Sequence, residues 1–164
     1  MDFMGVSISF ISATMEELDR AENDPSWAGE YIYELYDSDD LSMPDRPHGG
    51  PDKAWAGLQF LLDETDVEIE FLMDGFQILE DGTLFGWSAE QIGSLARQLR
   101  ATPWERLAVH YDPEQMMTEE VYPNTWRFDP EGELDWLERS YEELVTFFIE
   151  AAESGYGAFM SFSF

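Results

Sequence analysis

The residue types best suited to chemistry are scarce in this chain. It has two histidines, His48 and His110, separated by 62 positions, and no cysteine. Without cysteine there is no disulfide, no thiol nucleophile and no thiolate-bound zinc or iron–sulfur centre. His48 lies in the run Pro47-His48-Gly49-Gly50, which reads as an exposed loop histidine rather than a general base. His110 precedes Tyr111-Asp112-Pro113 near an expected helix end, where it meets the helix dipole. No HExxH occurs. Ser88, in Gly86-Trp87-Ser88, lacks the glycine context of a nucleophile elbow and reads as a helix cap. Gly155-Tyr156-Gly157 follows an expected helix rather than a strand, so it is not a dinucleotide loop, and no P-loop is present. Asp37, Asp39, Asp40 and Asp45 resemble the start of a calcium loop. Leu41 at its fifth position and the missing glycine at the sixth break the EF-hand pattern, so weak, nonspecific cation binding is expected there. No cofactor site, metal site or catalytic residue is assigned.

Carboxylates are the one abundant reactive group: 36 acids stand against 8 bases, giving a formal charge of −28 over 164 residues. Such a surface is repelled by nucleic acid and by anionic membranes; it serves solubility, the favoured reading, or steers a basic partner toward itself. The bases are seven arginines and the single Lys53. Acids run through the whole chain with hydrophobics interleaved, so they describe solvated faces of a folded body rather than an acidic tail. Hydrophobic residues make up 44%, enough for a real core, which argues against disorder. Crowded carboxylates are expected to titrate above their unfolded values. Stability is then expected to fall as pH rises, and moderate salt to raise the melting temperature.

Six tryptophans are many for this length. Trp55 and Trp136 fall on helices and read as core. Trp27, Trp104 and Trp126 lie nearer loops, either as a binding face beside acids or, the favoured reading, partly buried over the core.

The elements that position these residues follow from periodicity. Met4 to Ile11 alternates Val6, Ile8 and Phe10 with Gly5, Ser7 and Ser9, a strand. Ala158, Met160, Phe162 and Phe164 alternate with Gly157, Ser161 and Ser163, with Phe159 breaking the pattern. The shared grammar predicts that the two segments are neighbours in one sheet. Thr14-Met15-Glu16-Glu17 is a capping box opening a short helix that ends at Asn23-Asp24-Pro25. The aromatic run Trp27 to Tyr36 is ambiguous, and Asp37 to Pro51 reads as a loop. Asp52 is expected to cap an amphipathic helix to about Asp63, with Trp55, Leu58, Leu61 and Leu62 on its apolar face. Phe76 to Leu79 reads as a strand with Asp81-Gly82 as a turn. Ser88 caps a helix to Arg100, and Thr102-Pro103 and Asp112-Pro113 each start a short one. A long helix from Pro130 to Ser154 carries Leu134, Leu137, Tyr141, Leu144, Phe148 and Ala151 as a core stripe, closed by Gly155.

Several of these stretches together resemble a known family. They are Met4-Gly5-Val6, the run Asp52-Lys53-Ala54-Trp55-Ala56-Gly57-Leu58-Gln59-Phe60-Leu61-Leu62, Tyr111 to Met116, Val121-Tyr122-Pro123 with Trp126, and Trp136-Leu137 through Gly155. In this order the chain looks like the bacterial YfbM-like family, known as domain of unknown function 1877. The resemblance implies a small bacterial cytoplasmic protein, one YfbM-like domain over residues 1–164, and it carries no enzymatic activity or site residue with it.

The expected fold is α+β, a mixed or antiparallel sheet holding the N- and C-terminal strands and covered by helices. No apolar run reaches the roughly 20 residues of a membrane helix, and no secretory signal is visible. The absent motifs favour a non-enzymatic, acidic protein-binding or regulatory role toward a basic partner, of which an immunity-type inhibitor of a nucleic-acid-cleaving toxin is one form. The alternative is a hydrolase that uses carboxylates with a divalent metal, which requires acids converging in a cleft.

Overall fold

The computed structural model describes residues 6–37 and 46–163. Five antiparallel strands form one sheet in the order β2-β1-β5-β4-β3: β1 Ser7–Ala13, β2 His48–Asp52, β3 Phe76–Gln77, β4 Leu84–Trp87 and β5 Gly157–Ser163. Seven helices are found among the described residues: α1 Met15–Asn23, α2 Pro25–Asp37, α3 Trp55–Leu62, α4 Ala89–Arg100, α5 Trp104–Ala108, α6 Pro113–Thr118 and α7 Pro130–Glu153. The fold is α+β, and its first and last strands pair along their full length, from Ser7 opposite Ser163 to Ala13 opposite Gly157.

Strand alternation divides the core in two. Ile8, Phe10, Trp87, Ala158 and Met160 face α3, α4 and α7, and Phe10 packs its ring 5.4 Å from Trp87 and 5.5 Å from both Phe147 and Phe148. Ile11, Ala13, Leu84 and Phe159 face the other way, beneath Leu18, Ala21, Ala28 and Ile32 of α1 and α2. Phe159 therefore does not interrupt the pattern of β5. It is the one large residue on the glycine–serine face, placed where α1 and α2 cover that face.

Helix ends follow local chemistry. Thr14 and Glu17 form the expected capping box at α1, and Ser88 and Gln91 form another at α4. Asp112 and Asp129 cap α6 and α7, each with proline at the first helical turn. Gly155 closes α7 with φ +75°.

Five expectations need correction. The segment read as a loop from Asp37 to Pro51 contains β2. Glycine and proline disguise it, yet both suit an edge strand. A Cβ on Gly50 would sit 3.0 Å from the Ile8 carbonyl oxygen, and Pro51 lies on an edge strand, where a missing N–H is tolerated. Asp52 does not cap α3. It ends β2 with φ 50°, opposite Ile8, and the chain turns through Ala54, whose amide donates to the Pro51 carbonyl, before the helix begins. Nor is α3 amphipathic, because Gly57 is buried along with Trp55, Leu58, Leu61 and Leu62, and none of its residues is exposed. Thr102 is not a cap either. Its hydroxyl donates to the Gln98 carbonyl at the end of α4, and Pro103 takes the N-cap position of α5 without a side-chain bond. The strand expected over Phe76 to Leu79 shortens to two residues, its partner being β4, while the Asp81-Gly82 turn forms with Gly82 at φ +74°. The aromatic run after Trp27 is helical as α2. The first strand starts at Ser7 and runs on to Ala13; Met4, Gly5 and Phe164 lie outside the described residues.

Candidate functional site

The two histidines are not brought together. His48, exposed on β2, holds Nδ1 3.1 Å from the Arg46 carbonyl oxygen and borders a groove of about 530 Å3 against Arg139, Glu142, Glu143 and Glu150 of α7. His110 follows the end of α5 and borders a separate groove of about 420 Å3 with Arg106, Glu64 and Asp66. The hydroxyls beside His110 are already engaged: Thr65 donates to the Leu62 carbonyl and Thr102 to that of Gln98. This arrangement contains no nucleophile–base pair. Among the described residues no group of three or more His, Asp or Glu side chains is placed to hold a metal ion. The aspartate run Asp39, Asp40 and Asp45, with the side chain of Asp37, lies outside the described residues.

The tryptophans do not supply a binding face. Trp55, Trp87 and Trp126 are buried, and Trp27, Trp104 and Trp136 are half-buried against Tyr31, Tyr141 and Trp126 respectively. The perturbed tyrosines are structural as well. Tyr141, pushed up to about 12 by burial, donates to the Thr102 carbonyl at 2.6 Å. Tyr111, pushed up to about 12 by burial and then by Glu133 and Asp129, donates to the Pro130 carbonyl at 2.7 Å.

One polar cluster is half-buried. Arg46 Nη1 donates to both oxygens of Glu17, at 2.8 and 3.0 Å, and to the Ser12 carbonyl oxygen at 3.2 Å. Burial alone would raise the Glu17 carboxyl. Hydrogen bonds from Tyr31, the Thr14 amide and Arg46 outweigh it and hold the group below the ordinary glutamate range. Every partner lies within the protein, so the cluster ties α1 to the end of β1 rather than facing a substrate.

The surface that departs most from an ordinary one lies between α3 and β4. Val67, Ile69 and Phe71 are buried in alternation with exposed Glu68 and Glu70, as in a strand, yet among the described residues no strand pairs with them. Side-chain amides replace the ladder: Gln98 accepts from the Glu68 amide, and Gln59 accepts from the Phe71 amide while donating to the Ile69 carbonyl. The chain then turns. The Met73 and Asp74 amides donate to the Glu70 carbonyl, Asp74 Oδ2 accepts from the Glu70 amide, and Gln91 donates to the Asp74 carbonyl. This pinned turn directs Leu72 and Met73 into solvent, 47% and 77% exposed. Phe76, 36% exposed, follows with its ring across Gly86 of β4, where a Cβ would collide with it.

Along the sequence on either side of these three apolar side chains the charge is of one sign. From Ala54 to Ala96 the sequence has no lysine or arginine and nine acids. Asp74 and Gln91 also line an adjoining groove of about 330 Å3 with Glu68 and Glu90. The Glu70 carboxyl is held above its ordinary value by burial and then by Asp63 and Asp74, a sign of how closely these acids crowd. Apolar side chains that stand together on a hydrogen-bonded turn beside acids can serve as a contact surface.

The profile of the family described as "Domain of unknown function (DUF1877)" matches residues 4–161. The chain belongs to the DUF1877 family. A solved structure described as a protein of unknown function, YfbM from Escherichia coli, superposes with a TM-score of 0.64 over 96% of this chain and 99% of that one, at 14% identity. At that identity the likeness shows a shared fold alone. No curated protein sequence matches the chain. Among the described residues no helix is long and apolar enough to cross a membrane. Sequence reasoning missed the Leu72–Phe76 surface. The available signal was that Leu72 and Met73 extend an apolar run beyond the Val67, Ile69, Phe71 alternation, with no element left to bury them.

Proposed function

We propose that this DUF1877 protein is a non-catalytic, bacterial cytoplasmic protein that docks a basic, amphipathic segment of a partner protein and thereby regulates or neutralises it. The observation that carries this reading is the exposed Leu72–Met73–Phe76 surface beside the groove of Glu68, Asp74 and Glu90. The apolar side chains provide the desolvated contact, and the carboxylates select for lysine and arginine and speed encounter. A nucleic-acid-cleaving toxin, whose cleft must be basic to hold its substrate, has the required chemistry. The metal-dependent hydrolase reading has less support, since the acids that line a groove, Glu68, Asp74 and Glu90, are not placed to hold a metal ion.

The test is capture from bacterial lysate at moderate salt on immobilised wild-type protein, Met73→Asp and the Glu68→Gln/Glu90→Gln pair, each verified as folded by circular dichroism. A basic protein held by the wild type and lost from both variants is the expected result. Equal retention by all three overturns the assignment of this surface.

A further inference from the structure

The chain has no cysteine, so all of its oxidisable sulfur is methionine. A two-electron oxidant such as hydrogen peroxide reacts first with a thiolate where one is present; here the thioether is the sulfur left to it. What such an oxidant does to the protein therefore depends on where the methionines stand. Among those in the described residues, Met116 and Met160 are buried, and Met117 is half-buried against the core. Met15, in the first turn of α1, is 45% exposed, and Met73 is 77% exposed.

Met73 also differs in what its side chain contributes. Its turn is fixed by the Met73 and Asp74 amides on the Glu70 carbonyl, by Asp74 Oδ2 on the Glu70 amide, and by Gln91 on the Asp74 carbonyl. None of these bonds passes through the thioether, and Met73 belongs to neither cluster of the core. An oxygen added to its sulfur thus leaves the contacts of the fold in place. On the Leu72–Met73–Phe76 surface the same oxygen has a large effect, because it turns a flexible apolar side chain into a polar one. A sulfoxide carried into a desolvated contact costs affinity unless the partner satisfies it. Leu72 and Phe76 carry no group that the oxidant attacks.

We infer that Met73 is an oxidation site at which hydrogen peroxide switches the docking surface off, through a change of polarity that leaves the fold unaltered. A lone pair of the Met73 sulfur attacks one peroxide oxygen and the O–O bond breaks. The proton of the transferred hydroxyl passes to the departing oxygen, which leaves as water. The sulfur is oxidised by two electrons to the sulfoxide and the peroxide is reduced by two. Methionine sulfoxide reductases, which draw electrons from thiols, run the change back. This inference rests on the docking reading of the same surface.

The test exposes the full chain to hydrogen peroxide for increasing times and follows three readouts: peptide masses, the melting temperature, and the anisotropy of a dye-labelled basic amphipathic peptide, four repeats of Leu-Lys-Lys-Leu, at moderate salt. Wild type, Met73→Leu, Met15→Leu and Met73→Asp are compared. Sulfoxide should appear at Met73 ahead of Met15, Met116, Met117 and Met160. The protein oxidised at Met73 should melt with the untreated one and bind the peptide roughly five- to fiftyfold more weakly. Met73→Leu should keep its binding through the treatment, and Met15→Leu should lose it as wild type does. Oxidation of Met116 or Met160 before Met73, a melting temperature that falls as Met73 oxidises, or a Met73→Leu protein that loses binding as wild type does overturns the inference. If Met73→Asp weakens the peptide and oxidation does not, the inference alone falls and the docking reading stands. If untreated wild type and Met73→Asp bind the peptide equally or not at all, the docking reading fails and takes the switch with it.

Discussion

Replacing glycine by alanine inside a helix usually stabilises it, and here the same substitution at two helical glycines is expected to have opposite signs. At Gly57 in α3 a Cβ would lie 2.6 Å from Trp126 Cη2, 2.8 Å from Leu137 Cδ2 and 3.1 Å from Trp126 Cζ2. Carbon atoms pack best at about 3.5–4.0 Å, so the indole would have to retreat by about 1 Å. It has no room to do so. Trp126 is fully buried, its Nε1 donates to the Val121 carbonyl at 2.8 Å, and Trp136 and Tyr111 flank it. Overpacking of this kind costs about 1–3 kcal/mol, against a helix gain of about 0.5–1 kcal/mol. Gly57→Ala should therefore lose about 1–2 kcal/mol. At Gly93 in α4 the nearest atom to a Cβ is the mobile tip of Arg97, at 3.8 Å, so Gly93→Ala should gain about 0.4–1 kcal/mol. Urea unfolding followed at 222 nm, with a slope of about 2 kcal/mol per M, should separate the two midpoints by about 1 M. If both variants shift the same way, or Gly57→Ala is as stable as wild type, the packing argument around Trp126 is wrong.

Two electrostatic predictions concern carboxylates displaced in opposite directions. The Glu17 carboxyl titrates below its ordinary value, so its contribution to stability is complete above that value and disappears as pH falls through the lowered folded one. Arg46→Met should cost about 1–3 kcal/mol at neutral pH, and thermal melts across pH should show the cost vanishing in acid; a cost independent of pH would refute this assignment. Glu70 is the reverse case, raised by burial and by Asp63 and Asp74, so its folded state favours the proton and stability is lost as pH rises through the raised value. Glu70→Gln should raise the neutral-pH melting temperature, less so in high salt, and an unchanged or lower melting temperature at low salt would count against like-charge crowding at this turn.

What was legible in the sequence was whatever carried its own period or its own cap. α7 showed its stripe from Leu134 to Ala151, β1 and β5 shared an alternation specific enough to pair them, and Thr14, Ser88, Asp112 and the Pro130 boundary marked helix ends. β2 was hidden because its Gly49-Gly50-Pro51 run is chosen for close approach and for an edge, not for β propensity. α2 was obscured because its aromatics occupy most sides of the helix. The stretch from Val67 to Phe71 alternates like a strand but is satisfied by Gln59 and Gln98, one on α3 and one on α4, which no local window shows. Carboxylates behave less uniformly than composition implied. Glu70 is raised as expected from crowding, while hydrogen bonds lower Glu17, and Thr83 lowers Asp81 through its hydroxyl and its amide. The Leu72–Phe76 surface left a local trace in its apolar run, but the groove beside it was out of reach because Glu90 and Gln91 come from α4.

The pairing of β1 with β5 sets a schedule for biosynthesis. β1 has apolar residues directed to both sides, Ile8 and Phe10 on one and Ile11 and Ala13 on the other, and its full-length partner is made only after everything from Thr14 to Tyr156. β2, its other neighbour, is made early, but at about 5–20 residues per second β1 waits about 7–30 s before β5 exists. During that interval the edge of β1 that β5 covers is open on a two-sided apolar strand, the kind of edge that recruits copies of itself. Acids follow it closely, from Glu16 to Glu34, and like charge of this kind opposes association of chains. Joining Ser163 to Ser7 by a short linker and opening the chain at the Asp81-Gly82 turn would let the two strands emerge together, and such a permutant should be less dependent on its charge to reach the native state.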